Sequence, residues 1–339
     1  MKLRRWACVA ISLVVLFSLA SCHHGKDDNT SLSFNGTMTF DIPTFTNPGE
    51  VYTFVPEGLS RSDGGGIGYY WTTTIESVAD TTRREYDPAS VRGEFTFEIP
   101  DTLTTFTVTC TAFAEGYYSA STTATTLIVK DDGSLTNIDE LKDLPTFKDE
   151  RDGREYPYVT LAGLDWFARN LSWDGAGAPY YDAPAVEWLF GLYYTYEEAK
   201  EACPEGWRLP TDDDWTALAE SLGAAEGENG SYVGIAGNLM ADAYFNEDKM
   251  WTFWPTVKIT NTTGLSILPV GYGTLTEGKT EFQGFWGYGT IWTNTAVEGD
   301  PDLVYYRYVY QDKSDLYLGM SDRQCSLHSV RCVRESEDE

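Results

Sequence analysis

Between Leu32 and Lys130 the chain alternates. The runs "TMTFDI", "VYTFV", "GYYWTTTI", "GEFTFEI", "TFTVTCTAFA" and "TATTLIVK" set apolar against polar residues on a period of two, and Pro, Gly, Asp and Asn turns separate them. That period sends successive side chains to opposite faces of a pleat, so each run is a strand with one face for a core and one for water. Strands this short bury little alone, and about seven of them in series predict a β-sandwich over residues 32–130. Trp71 and Cys110 fall at core positions of two strands. With one cysteine in the stretch there is no partner for an intersheet disulfide, and Cys110 reads as a buried thiol.

The alternation stops at residues 131–146, "DDGSLTNIDELKDLPT", which gain acids and close with Pro145; they read as a linker with one helical turn. At residue 147 "FKDERDGREYPYVTLAGLDWFARNL" opens a second domain, with Asp152-Gly153 set as a hairpin turn. Further on, "TYEEAKEACPEGWRLPTDDDW" poses a choice. Cys203 is a nucleophile beside an acidic metal or acid/base cluster, or it is one end of a staple beside a helix start. Local chemistry favours the second. Thr195 and Glu198 make a capping box, and Cys203-Pro204 ends that helix, because the residue before proline is pushed out of the helical region. Thr211 caps the next helix, and Asp212, Asp213 and Asp214 in its first turn complement the dipole. Trp215, Leu218, Ala219 and Leu222 then share one face. A calcium site would need six or more oxygens from converging loops.

The N-terminus supplies a basic "MKLRRW" and an apolar "ACVAISLVVLFSLA" too short to span a bilayer, so residues 1–21 read as a signal peptide. "LASC" resembles a bacterial lipobox, which implies that Cys22 carries a lipid; the alternative is an ordinary cleavage nearby that leaves Cys22 a free thiol. Residues 22–31 are a polar tether. Asp27 and Asp28 are similar to the acidic patch that sends lipoproteins of Bacteroidota type to the cell surface, so the expected location is the outer membrane, lipid-anchored and facing out. Losing residues 1–21 removes Lys2, Arg4 and Arg5 and no acid, moving the formal charge from −28 to −31. Such a chain repels nucleic acid and anionic membranes, leaving the lipid as its membrane contact. Its acids are scattered, as on a solvated surface. Four cysteines remain for an oxidising compartment, Cys110, Cys203, Cys325 and Cys332, which allow three pairings. Histidine is scarce, with His328 alone beyond the tether, which argues against zinc and against Ser/His or Cys/His catalysis.

Five blocks in order, "FKDERDGREYPYVTLAGLDWFARNL", "GLYYTYEEAKEACPEGWRLPTDDDWTALAESLG", "TTGLSILPVGYG", "GFWGYGTIWTNT" and "SVRCVRE", resemble those of the Fibrobacter succinogenes major paralogous domain, found in lipoproteins of Bacteroidota and Fibrobacterota. The resemblance covers about residues 147–334, leaving an acidic tail at 335–339. It departs at "WTNT", 292–295, where Trp-Ser-Ser/Ala-Thr is usual, and at the additional Cys325. The family is similar in plan to α+β C-type-lectin-like domains, which implies two helices flanking a small twisted sheet and a Cys203–Cys332 disulfide. The first domain's second half resembles immunoglobulin-like or PKD-like surface modules, which implies a spacer.

"GTLTEGKT", Gly273–Thr280, satisfies the phosphate-loop pattern in full. Pro269 interrupts the strand that should precede it, and the Gly- and aromatic-rich "EFQGFWGYGTIW" that follows is no helix, so the segment reads as a hairpin with "EGK" near its tip and no nucleotide is expected. Aromatics in "FQGFWGYGTIW" and "VYYRYVY" suit sugar rings, and Trp286, Tyr288, Tyr305 and Tyr306 are the candidate contacts. A core role competes, most strongly for Trp292, Tyr306 and Tyr308. The lectin calcium pattern, Glu-Pro-Asn or Gln-Pro-Asp with Trp-Asn-Asp, is absent, so no metal or other cofactor is expected. The leading expectation is a non-catalytic, lipid-anchored surface protein binding a glycan or a protein. The alternatives are an extracellular carbohydrate-active hydrolase using paired carboxylates and a structural subunit of a surface assembly.

Overall fold

Five of the six alternating runs contain strands; "TMTFDI", residues 37–42, does not, and makes only an isolated bridge from Thr39 to Glu57. The computed structural model describes residues 31–75, 84–85, 93–130, 133–252 and 257–337, and divides into a unit ending at Ile128 and a unit beginning at Val129. The signal peptide, Cys22, Asp27 and Asp28 lie outside the described residues.

In the first unit β1 (Phe45–Thr46), β2 (Val51–Phe54), β3 (Gly68–Ile75), β4 (Arg84–Glu85), β5 (Phe95–Glu98), β6 (Thr105–Phe113) and β7 (Ala120–Ile128) form a five-stranded sheet, β1-β7-β6-β3-β4, and a β2-β5 pair. Their apolar faces meet. Trp71 is fully buried, with Phe95 stacked 5.5 Å away and Phe54 at 6.1 Å, and Phe97 lies 4.5 Å from Phe106. Cys110 is free and buried in this core, and burial pushes its thiol well above the ordinary range. The outer face of β6 and β7 carries hydroxyls that pair across the strands, Thr107 with Thr125, Thr109 with Thr123 and Thr111 with Ser121. β-Branched residues suit a pleated surface that water covers.

The second unit starts earlier than its strand pattern announces. Within the stretch expected as a linker, β8 (Leu135–Thr136) joins a sheet, and a 3-10 turn at Asp139–Asp143 buries Leu141. Leu135 and Leu141 anchor this segment, and the three-residue spacing of Leu135, Ile138, Leu141 and Leu144 matches neither the period of a strand nor that of an α-helix. There follow β9 (Thr146–Lys148), β10 (Glu155–Leu161), β11 (Leu164–Phe167), α1 (Glu187–Phe190), α2 (Tyr196–Ala202), α3 (Asp212–Ser221), α4 (Ala236–Leu239), β12 (Tyr244–Phe245), β13 (Asp248–Lys249), β14 (Tyr272–Thr276), β15 (Lys279–Gln283), β16 (Tyr288–Val297), β17 (Asp300–Tyr310), β18 (Tyr317–Asp322), β19 (Ser326–Leu327) and β20 (Val333–Glu335). They build sheets ordered β20-β11-β10-β9, β13-β12-β8, β15-β14-β19 and β16-β17-β18. The unit's last strand therefore shares a sheet with its early strands, and Glu335, expected in a tail, pairs with Leu164.

Both capping boxes form. Thr195 accepts from the Glu198 amide and Thr211 from the Asp214 amide, each N3 carboxylate returning to the cap's own N–H. Trp215, Leu218 and Ala219 are buried against Trp166, Ile291 and Val309, while Leu222 is half-buried at the rim. Cys203, where α2 ends, is bonded to Cys332, joining α2 to the strand that closes the unit across 129 residues of sequence. One residue before that cysteine, the fully buried Arg331 has no carboxylate among its hydrogen-bond partners in the described residues. Its guanidinium donates to Asn170 Oδ1 and to the carbonyls of Phe167, Leu265 and Ser266. Ser266 holds φ at 52° there, a strained value for a residue with a Cβ, and its carbonyl accepts from Arg331 at 3.2 Å.

Candidate functional site

The sheet β16-β17-β18 has two unlike faces. One carries Ile291, Arg307 and Val309 toward α3. Arg307, 1 % exposed, donates from Nε and Nη2 to the two oxygens of Asp212 at 2.6 and 2.9 Å, and from Nη1 to the Gly230 carbonyl. Asp214 accepts from Arg208 at 2.6 and 3.1 Å and from the Thr211 amide. Burial would raise the Asp214 pKa, but these hydrogen bonds hold it below the usual carboxylate range. The triple acid thus starts a helix and clamps two arginines. Among the described residues no group of three or more His, Cys, Asp or Glu is placed to hold a metal.

The opposite face is aromatic, and the register explains why. Tyr288 pairs with Tyr310, Thr290 with Tyr308 and Trp292 with Tyr306 across β16 and β17; Tyr308 pairs with Tyr317 and Tyr306 with Gly319 across β17 and β18. In β17, Tyr306, Tyr308 and Tyr310 are two residues apart, so all three emerge on one side. Tyr288 lies 4.4 Å from Tyr310, Tyr308 stacks on Tyr317 at 5.1 Å, and Tyr306 is 5.6 Å from Tyr308. Tyr272 of β14 meets Tyr288 edge-on at 6.1 Å, since Gly271 bridges to Gly289 and brings the two sheets together. Six tyrosines make one continuous, half-buried array.

At one end the array passes into the core. Trp292 is fully buried beside α2, with Nε1 donating to the Tyr194 carbonyl. The Tyr306 ring lies over Gly319, where a Cβ would fall 2.3 Å from its Cζ, and it stacks on His328 at 4.2 Å. Burial, with Tyr308, Tyr272 and Tyr288 adding, pushes the Tyr306 phenol up to about 12. His328 bridges Thr290, at 2.8 Å from Nδ1, and Ser321, at 3.0 Å from Nε2. The Thr290 hydroxyl already donates to the Gly271 carbonyl, so it can only accept from His328. That fixes the proton on Nδ1 and makes Nε2 the acceptor for the Ser321 hydroxyl. Burial lowers the pKa of this imidazole to about 3, and the ring is neutral. At the other end Tyr317 is more open; burial comes first and Asp315 second in raising its pKa.

The four aromatics singled out in sequence do not form one cluster. Tyr288 and Tyr306 belong to the array. Tyr305 projects from the other face, opposite the exposed Met320. Trp286 lies in the turn between β15 and β16, with its ring against Phe245 and Phe285 and φ at 68°. The other four array members are Tyr308, for which a core role was expected, and Tyr272, Tyr310 and Tyr317, which strand pairing supplies; the Tyr-x-Tyr-x-Tyr period in "VYYRYVY" already pointed to Tyr308 and Tyr310.

"WTNT" serves as a strut. Asn294 Oδ1 accepts from the Tyr196 hydroxyl, Thr295 Oγ1 accepts from the Asp212 amide, and Thr293 donates to the Tyr305 carbonyl, tying β16 to α2, α3 and β17. The phosphate-loop match lies on the β14–β15 hairpin, with Thr276 paired to Lys279 and Glu277 and Gly278 both at positive φ, as a two-residue type I′ turn requires. Strand β15, and no helix, follows the glycine, so no helix N-terminus is available to meet a phosphate.

The Fibrobacter succinogenes major domain matches residues 159–334, more than half of the chain. No curated protein and no solved structure matches it.

Proposed function

Because the chain belongs to the Fibrobacter succinogenes major domain family, we propose that it is a non-catalytic surface protein whose second unit, built on a C-type-lectin-like plan, binds a glycan on its tyrosine array. One observation carries the reading: six half-buried tyrosines held on one face by strand register, with phenol hydroxyls among their rings. A phenol ring covers the C–H face of a sugar with apolar surface while its hydroxyl stays hydrogen-bonded, the combination a wet, partly apolar ligand needs. The return of β20 to the sheet of β9, β10 and β11, and the pair α2 and α3, support the lectin-like plan. With "WTNT" engaged in struts, the proposed binding is independent of calcium. In this reading Cys22 is the lipid attachment that holds the protein at the outer membrane, and the first unit is an immunoglobulin-like or PKD-like spacer.

The test is a broad glycan panel probed with the soluble chain, oxidised and without its lipid, with and without calcium. Binding should weaken at least tenfold in Tyr288→Ala and Tyr308→Ala and persist in Trp286→Ala, about 1.4 kcal/mol per decade. A folded wild-type protein that binds nothing on the panel, or one whose binding depends on Trp286 alone, would sink the proposal.

A further inference from the structure

From the open side of β7 we infer that the first unit is a pairing module: two copies of the chain join edge to edge, β7 against β7 in antiparallel order. The first observation is an unused ladder. β7 pairs with β6 along its length, and the Ile128 amide donates to the Thr104 carbonyl opposite it. Such bonds recur at every second residue of an antiparallel pair, so Thr122, Ala124 and Thr126 turn their backbone groups to β6 while Ser121, Thr123, Thr125 and Leu127 turn theirs away. The Leu127 amide donates to the Thr44 carbonyl, where β1 covers the end of the strand. β1 covers nothing further. Among the described residues no group bonds to the outward N–H and C=O of Ser121, Thr123 or Thr125, and all three residues are exposed.

The second observation is what this edge lacks. Edge strands are guarded against pairing by charge, proline, bulges or shortness. In the same unit β4 consists of Arg84 and Glu85, and β5 ends in Glu98. Between Glu115 and Lys130 the chain carries no charged residue, β7 has neither Pro nor Gly, and its register with β6 runs without a shift. In a chain of net charge −28, an uncharged edge is a place where a second copy can approach without setting like charges together.

The third observation selects a second copy as the occupant. Turned about a two-fold axis at Thr123, the strand meets itself with Thr123 opposite its own counterpart and Ser121 opposite Thr125. Those are the outward residues, so each pair exchanges both of its bonds and none of the outward groups is left over. The side chains continue a pattern the sheet already uses, since Thr107 with Thr125, Thr109 with Thr123 and Thr111 with Ser121 bond hydroxyl to hydroxyl across β6 and β7. On the other face Thr122 meets Ala124, and both are small. At the start of the strand Tyr118 and Leu32 stand 64 % and 50 % exposed, with the Tyr118 amide donating to the Leu32 carbonyl. The edge is thus bordered by apolar surface that a partner would cover.

The experiment is sedimentation velocity on the full soluble chain over a concentration series, joined to amide hydrogen exchange below and above the dimer midpoint. The wild-type chain should dimerise reversibly. Above the midpoint, exchange at Ser121, Thr123 and Thr125 should slow at least about tenfold, while Thr122 and Ala124, already bonded to β6, keep their rates. Thr123→Lys sets two like charges opposite each other at the axis and should weaken the dimer at least about tenfold. Thr53→Lys puts the same charge at an exposed position of β2 and should change the affinity less than about twofold. A chain that stays monomeric across the series overturns the inference. So does a dimer with unchanged exchange at those three amides, or one indifferent to Thr123→Lys, because either places the contact elsewhere.

Discussion

His328 offers the sharpest quantitative test of this architecture. Its ring stands between Thr290 and Ser321 with Tyr306 stacked on it, and burial keeps it neutral. The unfolded chain takes up a proton at this side chain near pH 6.5, while in the folded protein uptake waits until about pH 3. Between those values the unfolded state binds one proton more, so stability falls as pH falls, by about 1.4 kcal/mol per pH unit. From pH 6.5 to 4.5 the cost from this residue is about 2.3 kcal/mol. Above pH 6.5 the slope fades as the unfolded side chain loses its proton. Replacing it in His328→Phe removes the slope and keeps an aromatic ring beside Trp292 and Tyr306, at the cost of two hydrogen bonds, about 2 kcal/mol at pH 7. Urea unfolding of both proteins at pH 7.0, 5.5 and 4.5, followed by tryptophan emission, gives the difference directly, because the carboxylates and the first unit cancel in the comparison. The stability gap should narrow on acidification and close near pH 5. Parallel slopes for the two proteins would refute the reasoning, as would an imidazole NMR titration with a midpoint near 6.5.

Three further outcomes follow from the same contacts. Cys203→Ser/Cys332→Ser releases a cross-link spanning 129 residues of sequence, and chain entropy sets the loss at up to about 5 kcal/mol, read as a lower urea midpoint against the oxidised parent. Asp212→Asn leaves the buried Arg307 without its counter-charge and should cost about 3 kcal/mol, whereas the exposed Asp213→Asn should fall within about 0.5 kcal/mol in the same assay. Gly319→Ala puts a methyl where the Tyr306 ring lies; it should destabilise by about 1–3 kcal/mol and shift the His328 ring protons in NMR, and unchanged His328 signals would contradict the stacked arrangement.

Local chemistry written in consecutive residues was legible without coordinates. Period-two alternation gave β2, β3, β5, β6 and β7 of the first unit and missed the two-residue β1 and β4. Thr195 with Glu198 and Thr211 with Asp214 gave two helix starts, because a cap and its N3 partner are three residues apart. The Asp152-Gly153 turn and the Glu277-Gly278 hairpin rest on backbone preferences that act at the same range. The order of the five blocks located the family domain, and the family's resemblance to lectin-like domains implied the Cys203–Cys332 bond that the structure holds.

What tertiary structure decided is everything that depends on which distant strand lies opposite. Tyr310 and Tyr317 join Tyr288 and Tyr306 only because β16, β17 and β18 pair in one register; a one-residue slip would turn β17's tyrosines to the helix side and Arg307 away from Asp212. Tyr305 and Trp286 were as aromatic as their neighbours in sequence, yet parity along a strand and a turn at positive φ carry them elsewhere. The same limit hid the roles of His328 and Arg331. A buried imidazole or guanidinium is tolerated only where hydroxyls or carbonyls from remote segments converge on it, and that convergence belongs to the folded chain.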